Sequence, residues 1–81
     1  MTIDHEGDIP IYVQLADILR GQIDRGEIPE RRPIPSKKRL QQEHGIAQGT
    51  VERALDVLRE AGYIRTVTGR GLYVVPAAER R

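Results

Sequence analysis

The sequence predicts a small α+β domain in which three helices precede a two-stranded β-hairpin. Three observations predict it. Apolar residues recur at helical spacing in successive stretches, and glycines follow those stretches at Gly26, Gly45 and Gly62. Two β-prone runs then flank a glycine-rich turn near the end of the chain. A length of 81 residues allows one core and no second one.

The first helix is expected from about Pro10 to Arg25. Proline is tolerated at a helix start because its missing N–H would have no partner there, and Asp8 just ahead favours the positive end of the helix. Ile11, Leu15, Ile18, Leu19 and Ile23 draw one apolar stripe, with Gln14, Asp17 and Arg20 turned away from it. Gly26 and then Ile28-Pro29 stop the helix. Residues 27–35 hold three prolines and read as an extended connector. Ser36 is an N-cap for a short helix, Lys37 to about His44, whose inward anchor is Leu40. Gly45 ends that helix, and Ile46 is expected to be buried in a tight turn. A third helix follows from Gln48 to Ala61. Its inner face is Val51, Ala54, Leu55 and Leu58, the i, i+3, i+4, i+7 pattern. Its outer face is Gln48, Gly49, Glu52, Arg53 and Asp56. The β-runs are Tyr63–Val67 and Leu72–Val75, joined by Thr68-Gly69-Arg70-Gly71 and closed by Pro76. The expected layout is an arm over 1–8, a domain over 9–76 and a frayed tail over 77–81, with Arg80 and Arg81 in the tail.

Composition excludes several classes of function. There is no cysteine, hence no disulfide framework and no thiolate zinc site. His5 and His44 are isolated and read as surface residues, so no metal or cofactor is expected. No apolar run approaches the roughly 18 residues of a membrane span. The acidic start Met1-Thr2-Ile3-Asp4-His5-Glu6 is the opposite of a targeting peptide. The expectation is a cytoplasmic protein without membrane contact. No catalytic pair stands out, Ser36 having no histidine partner, and a core of this size leaves little room for an enclosed pocket. No enzyme activity is expected.

The net charge of +1, from 13 Lys and Arg against 12 Asp and Glu, conceals an uneven map. The first ten residues hold Asp4, Glu6 and Asp8 and no lysine or arginine. Arg31-Arg32-Pro33-Ile34-Pro35-Ser36-Lys37-Lys38-Arg39 contains five cations and no anion. Arg65, Arg70, Arg80 and Arg81 make the end basic again. Such clusters read either as solvated loops or as a footprint for a polyanion.

The order of elements favours the polyanion. A short helix, a glycine turn and a longer amphipathic helix form a helix-turn-helix, whose second helix enters the major groove of DNA. A hairpin directly after it makes a winged helix-turn-helix, with Arg70 at the wing tip, where a minor groove attracts arginine. The competing reading is a protein–protein module using the outer face of the third helix. Near-neutral net charge, Glu52 and Asp56 speak for it. Tyr12, Tyr63 and Tyr73 read as half-buried packing residues rather than base-stacking platforms.

A wider resemblance covers about residues 9–75. Pro10-Ile11-Tyr12-Val13-Gln14-Leu15, Ile34-Pro35-Ser36-Lys37-Lys38-Arg39-Leu40, Gly45-Ile46-Ala47-Gln48-Gly49-Thr50-Val51-Glu52-Arg53-Ala54-Leu55, Leu58-Arg59-Glu60-Ala61-Gly62-Tyr63-Ile64, Gly69-Arg70-Gly71 and Val74-Val75 resemble the N-terminal domain of GntR-family bacterial transcription regulators. The resemblance implies binding to double-stranded operator DNA and a regulatory, repressor-type role. It places Lys38, with Lys37 and Arg39 beside it, at the family's basic DNA contact after the Pro-Ser pair. It places Thr50 at a phosphate or base contact early in the recognition helix, and Gly69 and Arg70 at the wing. The full expected contact set is Ser36, Lys37, Lys38, Arg39, Gln48, Gly49, Thr50, Glu52, Arg53, Thr68, Gly69 and Arg70.

The sequence departs from the family pattern in three ways. Gln48 and Glu52 stand where the family often has two guanine-reading arginines. Glutamine pairs instead with adenine, and glutamate accepts from cytosine. Ala47 replaces the usual Ser or Thr cap, a loss of about 1 kcal/mol, and Gly49 weakens the same turn. The family's second domain, which binds a small effector and dimerises, has no counterpart here. No effector site is expected within the chain, which is either a stand-alone module or a piece of a longer protein. One domain makes few phosphate contacts, so a homodimer on a palindromic operator is expected.

Overall fold

Pro10 does start the first helix, but as its cap. At φ −53° and ψ 141° it is extended rather than helical, and its carbonyl accepts from the amides of Val13 and Gln14 at 3.1 and 3.2 Å. The computed structural model describes residues 3–80; Met1, Thr2 and Arg81, the extreme ends of the expected arm and tail, lie outside it. Its elements are α1 (Ile11–Asp24), α2 (Lys37–His44), α3 (Gln48–Glu60), β1 (Ile64–Val67), β2 (Gly71–Val74) and a 3-10 turn over Ala77–Glu79.

The expected apolar stripes meet in a single core. Leu15 and Leu19 of α1, Leu40 of α2, Val51 and Leu58 of α3, and Ile64 and Val74 of the two strands are all almost completely buried. Each such side chain contributes roughly 1.5–3 kcal/mol over its exposed state. Tyr12 and Tyr63 pack half-buried against this cluster. Ile46 is also only half-buried, a small correction: the turn after Gly45 lays it against the core instead of inside it.

Two core residues escape the helical periodicity. Ile3 and Ile28 are buried although neither lies in a regular element. Ile3 is held by a polar clamp from α1. The Asp4 amide donates to Gln14 Oε1 at 2.7 Å, and Gln14 Nε2 donates to the carbonyls of Asp4 and Ile9, both at 2.8 Å. Residues 3–9 are therefore fastened along the start of α1.

β1 and β2 pair antiparallel, with Ile64 opposite Val74 and Val67 opposite Gly71. The proline-rich connector then runs beside β2. The Ile34 amide donates to the Leu72 carbonyl at 3.0 Å, and the Val74 amide to the Arg32 carbonyl at 2.9 Å. Pro33 lies opposite Tyr73 between those two bonds, a position where the ladder asks for no donor. Arg31 reaches the same edge in a left-handed conformation, φ 62°, and its amide donates to Val74 at 3.0 Å.

The tail over 77–80 is not frayed, which corrects the expectation. Glu30 accepts from the Ala77 amide at 2.6 Å, and Arg31 pairs with Glu79 at 3.0 Å. Arg80 pairs with Asp24 at 3.2 Å and lies over the Tyr63 ring, 4.7 Å from its centroid. Its side chain is only 14% exposed.

Candidate nucleic-acid interface

The turn between α2 and α3 sets the geometry of the site. Gly45 adopts φ 63° and donates its amide to the Gln41 carbonyl at 2.9 Å. A side chain is strained in that conformation, so glycine lets α2 stop and α3 begin three residues later, at Gln48. At the other end of α2, Ser36 Oγ accepts from the Arg39 amide at 3.1 Å, the capping contact the sequence predicts. Lys37 is thereby fixed at the first helical position, and its Nζ lies 3.9 Å from Glu52 Oε1 on α3. Glu52 Oε1 also accepts from Gln48 Nε2 at 3.1 Å.

The wing faces this cluster. The Arg70 amide donates to the Val67 carbonyl at 2.9 Å, closing a turn with Gly69 at φ 77°, where the third residue must be left-handed. Between the wing and the helices lies a groove of about 570 Å3. Ser36 and Lys37 line one side, Leu55 and Arg59 the α3 side, and Thr66, Arg70 and Leu72 the wing side. Cations from the proline-bracketed stretch and from the wing tip thus converge on one groove beside the exposed face of α3.

The remaining expected contact residues divide. Lys38, Gln48, Gly49, Thr68 and Gly69 are exposed and Thr50 is half-buried. Lys38 and Arg70 have no carboxylate partner among the described residues, whereas Arg39 is engaged by Glu43 at 2.7 Å, one helical turn away. Arg53 is drawn to the α1 side, its guanidinium 4.5 Å from the centroid of Tyr12, and does not line the groove. Arg59 does line it and is absent from the expected set. The signal was available: Gln48, Glu52, Leu55 and Arg59 follow one flank of α3 at helical spacing. Arg59 is itself paired with Asp56.

Among the described residues, no group of three or more His, Asp or Glu could hold a metal ion, and no helix is long and apolar enough to cross a membrane. Exposed large apolar side chains are confined to Ile9 and Val57 among those residues.

A capped helix, a glycine turn and a polar-faced helix, backed by one core and followed by a hairpin, define a winged helix-turn-helix protein. Comparison with known proteins narrows the class. The chain belongs to the bacterial regulatory proteins of the gntR family, whose model matches residues 11–74. It is 36% identical over 74 residues to the HTH-type transcriptional repressor NagR of Bacillus subtilis, covering 91% of this chain but 30% of that repressor. Among solved structures it resembles YtrA from Sulfolobus acidocaldarius, a GntR-family transcription factor, with a TM-score of 0.83 and 33% identity over 93% of this chain and 79% of that one. It also resembles the AraR DNA-binding domain in complex with operator ORE1, with a TM-score of 0.79 and 28% identity, covering 89% and 88% of the two chains. The chain thus spans under a third of the curated repressor's length and nearly all of an isolated DNA-binding domain.

Proposed function

We propose that this chain is a sequence-specific double-stranded DNA-binding module of a transcription regulator, acting as a repressor in the cytoplasm and carrying no enzyme activity. The observation that carries the reading is the convergence of Ser36, Lys37 and Arg70 on one groove beside the exposed start of α3. In this reading α3 enters the major groove, with Gln48, Gly49, Thr50, Glu52 and Arg53 along its leading half. Lys37, Lys38 and Arg39 meet phosphates from the start of α2, and Thr68, Gly69 and Arg70 lie along the minor groove. One such unit neutralises few phosphates. Two copies on a palindromic operator supply the missing affinity.

A protein-docking role for α3 is not favoured. Protein interfaces centre on buried aromatic or aliphatic anchors, and Val57 is the one exposed large apolar residue on this helix among those described. The DNA reading is tested by titrating duplex DNA at several salt concentrations. Wild-type affinity should fall steeply with salt, and Lys37, Lys38 and Arg70 changed together to alanine should flatten the log–log slope by about 2–3, near 0.9 per lost phosphate contact. Equal binding by the wild type and the triple variant would remove the reading.

A further inference from the structure

Resting on that DNA reading, we infer that Glu52 is the specificity-determining residue of α3. Its carboxylate selects a cytosine through the N4 amino group in the major groove, with Gln48 as its positioning residue.

The argument starts from the charge on α3. The helix carries Glu52, Asp56 and Glu60 against Arg53 and Arg59. Both arginines are engaged, Arg53 over Tyr12 and Arg59 by Asp56. The ridge that would face the bases therefore offers acceptors, while the unpaired cations sit on its flanks. A carboxylate there repels phosphates and gains only where a base edge offers a donor. In the major groove cytosine presents an N4 amino donor with no acceptor of its own beside it, adenine sets its N6 amino donor next to the N7 acceptor that repels a carboxylate, and guanine presents acceptors alone.

Glu52 is also held in place. Oε1 is taken by Gln48 Nε2 at 3.1 Å and lies 3.9 Å from Lys37 Nζ. With a side-chain exposure of 43%, Glu52 remains open to solvent, and Oε2 has no protein partner among the described residues. Gln48 donates one N–H to Glu52, which leaves its second N–H and its carbonyl oxygen for the N7 and N6 of an adenine. The two residues are four apart, about 6 Å along the helix axis, which places them over base pairs at most two steps apart at about 3.4 Å each. In free protein Glu52 also competes with phosphate for Lys37, so the same carboxylate restrains binding to unrelated sequences.

Selection of bound duplexes from a randomised pool by the 81-residue chain, repeated with E52A and E52Q, tests this. The wild type should enrich one invariant cytosine, and replacing it by another base should weaken binding roughly 5- to 150-fold, the range of one good base contact. N4-methylcytosine at that position, which keeps Watson–Crick pairing but blocks the groove-side donor, should do the same. E52A should lose the cytosine preference and bind unrelated duplex several-fold more tightly. Q48A, with Glu52 intact, should weaken the preference without abolishing it. Salt-dependent binding by the wild type with the same base preference in E52A, or indifference to N4-methylcytosine, overturns the inference and leaves the DNA reading standing. Absence of any salt-dependent duplex binding overturns the DNA reading itself.

Discussion

The start of α3 has no side-chain cap, and α2 supplies the template for adding one. Ser36 caps α2 at φ −63° and ψ 155°, and Ala47 precedes α3 at φ −73° and ψ 154°. The two backbones agree within 10° in each angle. Yet only Ser36 brings an oxygen, which accepts the Arg39 amide at 3.1 Å. A serine at position 47 would offer its hydroxyl to the corresponding amide, that of Thr50, which now donates to the Ala47 carbonyl at 3.1 Å, adding at most about 1 kcal/mol. Gly49 lies two residues further on, in helical conformation, and a β-carbon there would have nothing within 4 Å. Ala47→Ser and Gly49→Ala act on different terms, one on a side-chain acceptor and the other on chain entropy. The glycine change adds about 0.5–1 kcal/mol, and together they should stabilise the fold by at most about 1.5–2 kcal/mol. That is a large share of the roughly 4–12 kcal/mol typical of a domain this long. Thermal unfolding followed by circular dichroism should show a rise of roughly 4–8 °C for each kcal/mol. If Gly49→Ala raises Tm and Ala47→Ser does not, the capping argument is wrong. If neither does, the start of α3 is not a weak point.

Further changes probe the contacts that tie the ends of the chain to the core. Arg80→Ala removes the stacking on Tyr63 and the pair with Asp24. Because Asp24 is half exposed the pair adds little, so the expected loss is about 1–2 kcal/mol, mostly from stacking and stem packing, read as a lower urea midpoint. Gln14→Ala opens the clamp on Asp4 and Ile9 and should speed amide exchange at Asp4 while β1 and β2 keep their protection. Arg31→Val forces a β-branched residue into φ 62° and should cost about 2 kcal/mol in chemical denaturation. Arg31→Gly should stay within about 1 kcal/mol of wild type, since the exposed pair with Glu79 contributes little.

What the sequence makes legible is what is local. The stripe Val51, Ala54, Leu55, Leu58 and the stops at Gly45 and Gly62 depend on neighbours three or four residues away, and they appear where periodicity puts them. Ile3, Ile28 and Arg80 depend on partners far along the chain. Asp4 meets Gln14 across ten residues and Arg80 meets Asp24 across 56, and no spacing rule reaches that far. The connector is illegible for a different reason. Three prolines argue against a strand, and Pro33 joins the sheet edge only because it falls between the ladder bonds at Arg32 and Ile34.

The cations of the site divide along the same line. That Arg39 is engaged and Lys38 is not follows from residues four places on, Glu43 for the first and Gln42 for the second. That Lys37 shares Glu52, and that Arg53 turns toward Tyr12, follows only from how α2, α1 and α3 pack. The consequence is a separation of tasks. Positive charge free to meet phosphates sits on the start of α2 and on the wing, whereas α3 presents glutamine and glutamate. In the proposed DNA complex, attraction that ignores sequence would therefore come from the flanks, and α3 would contribute discrimination with little affinity of its own.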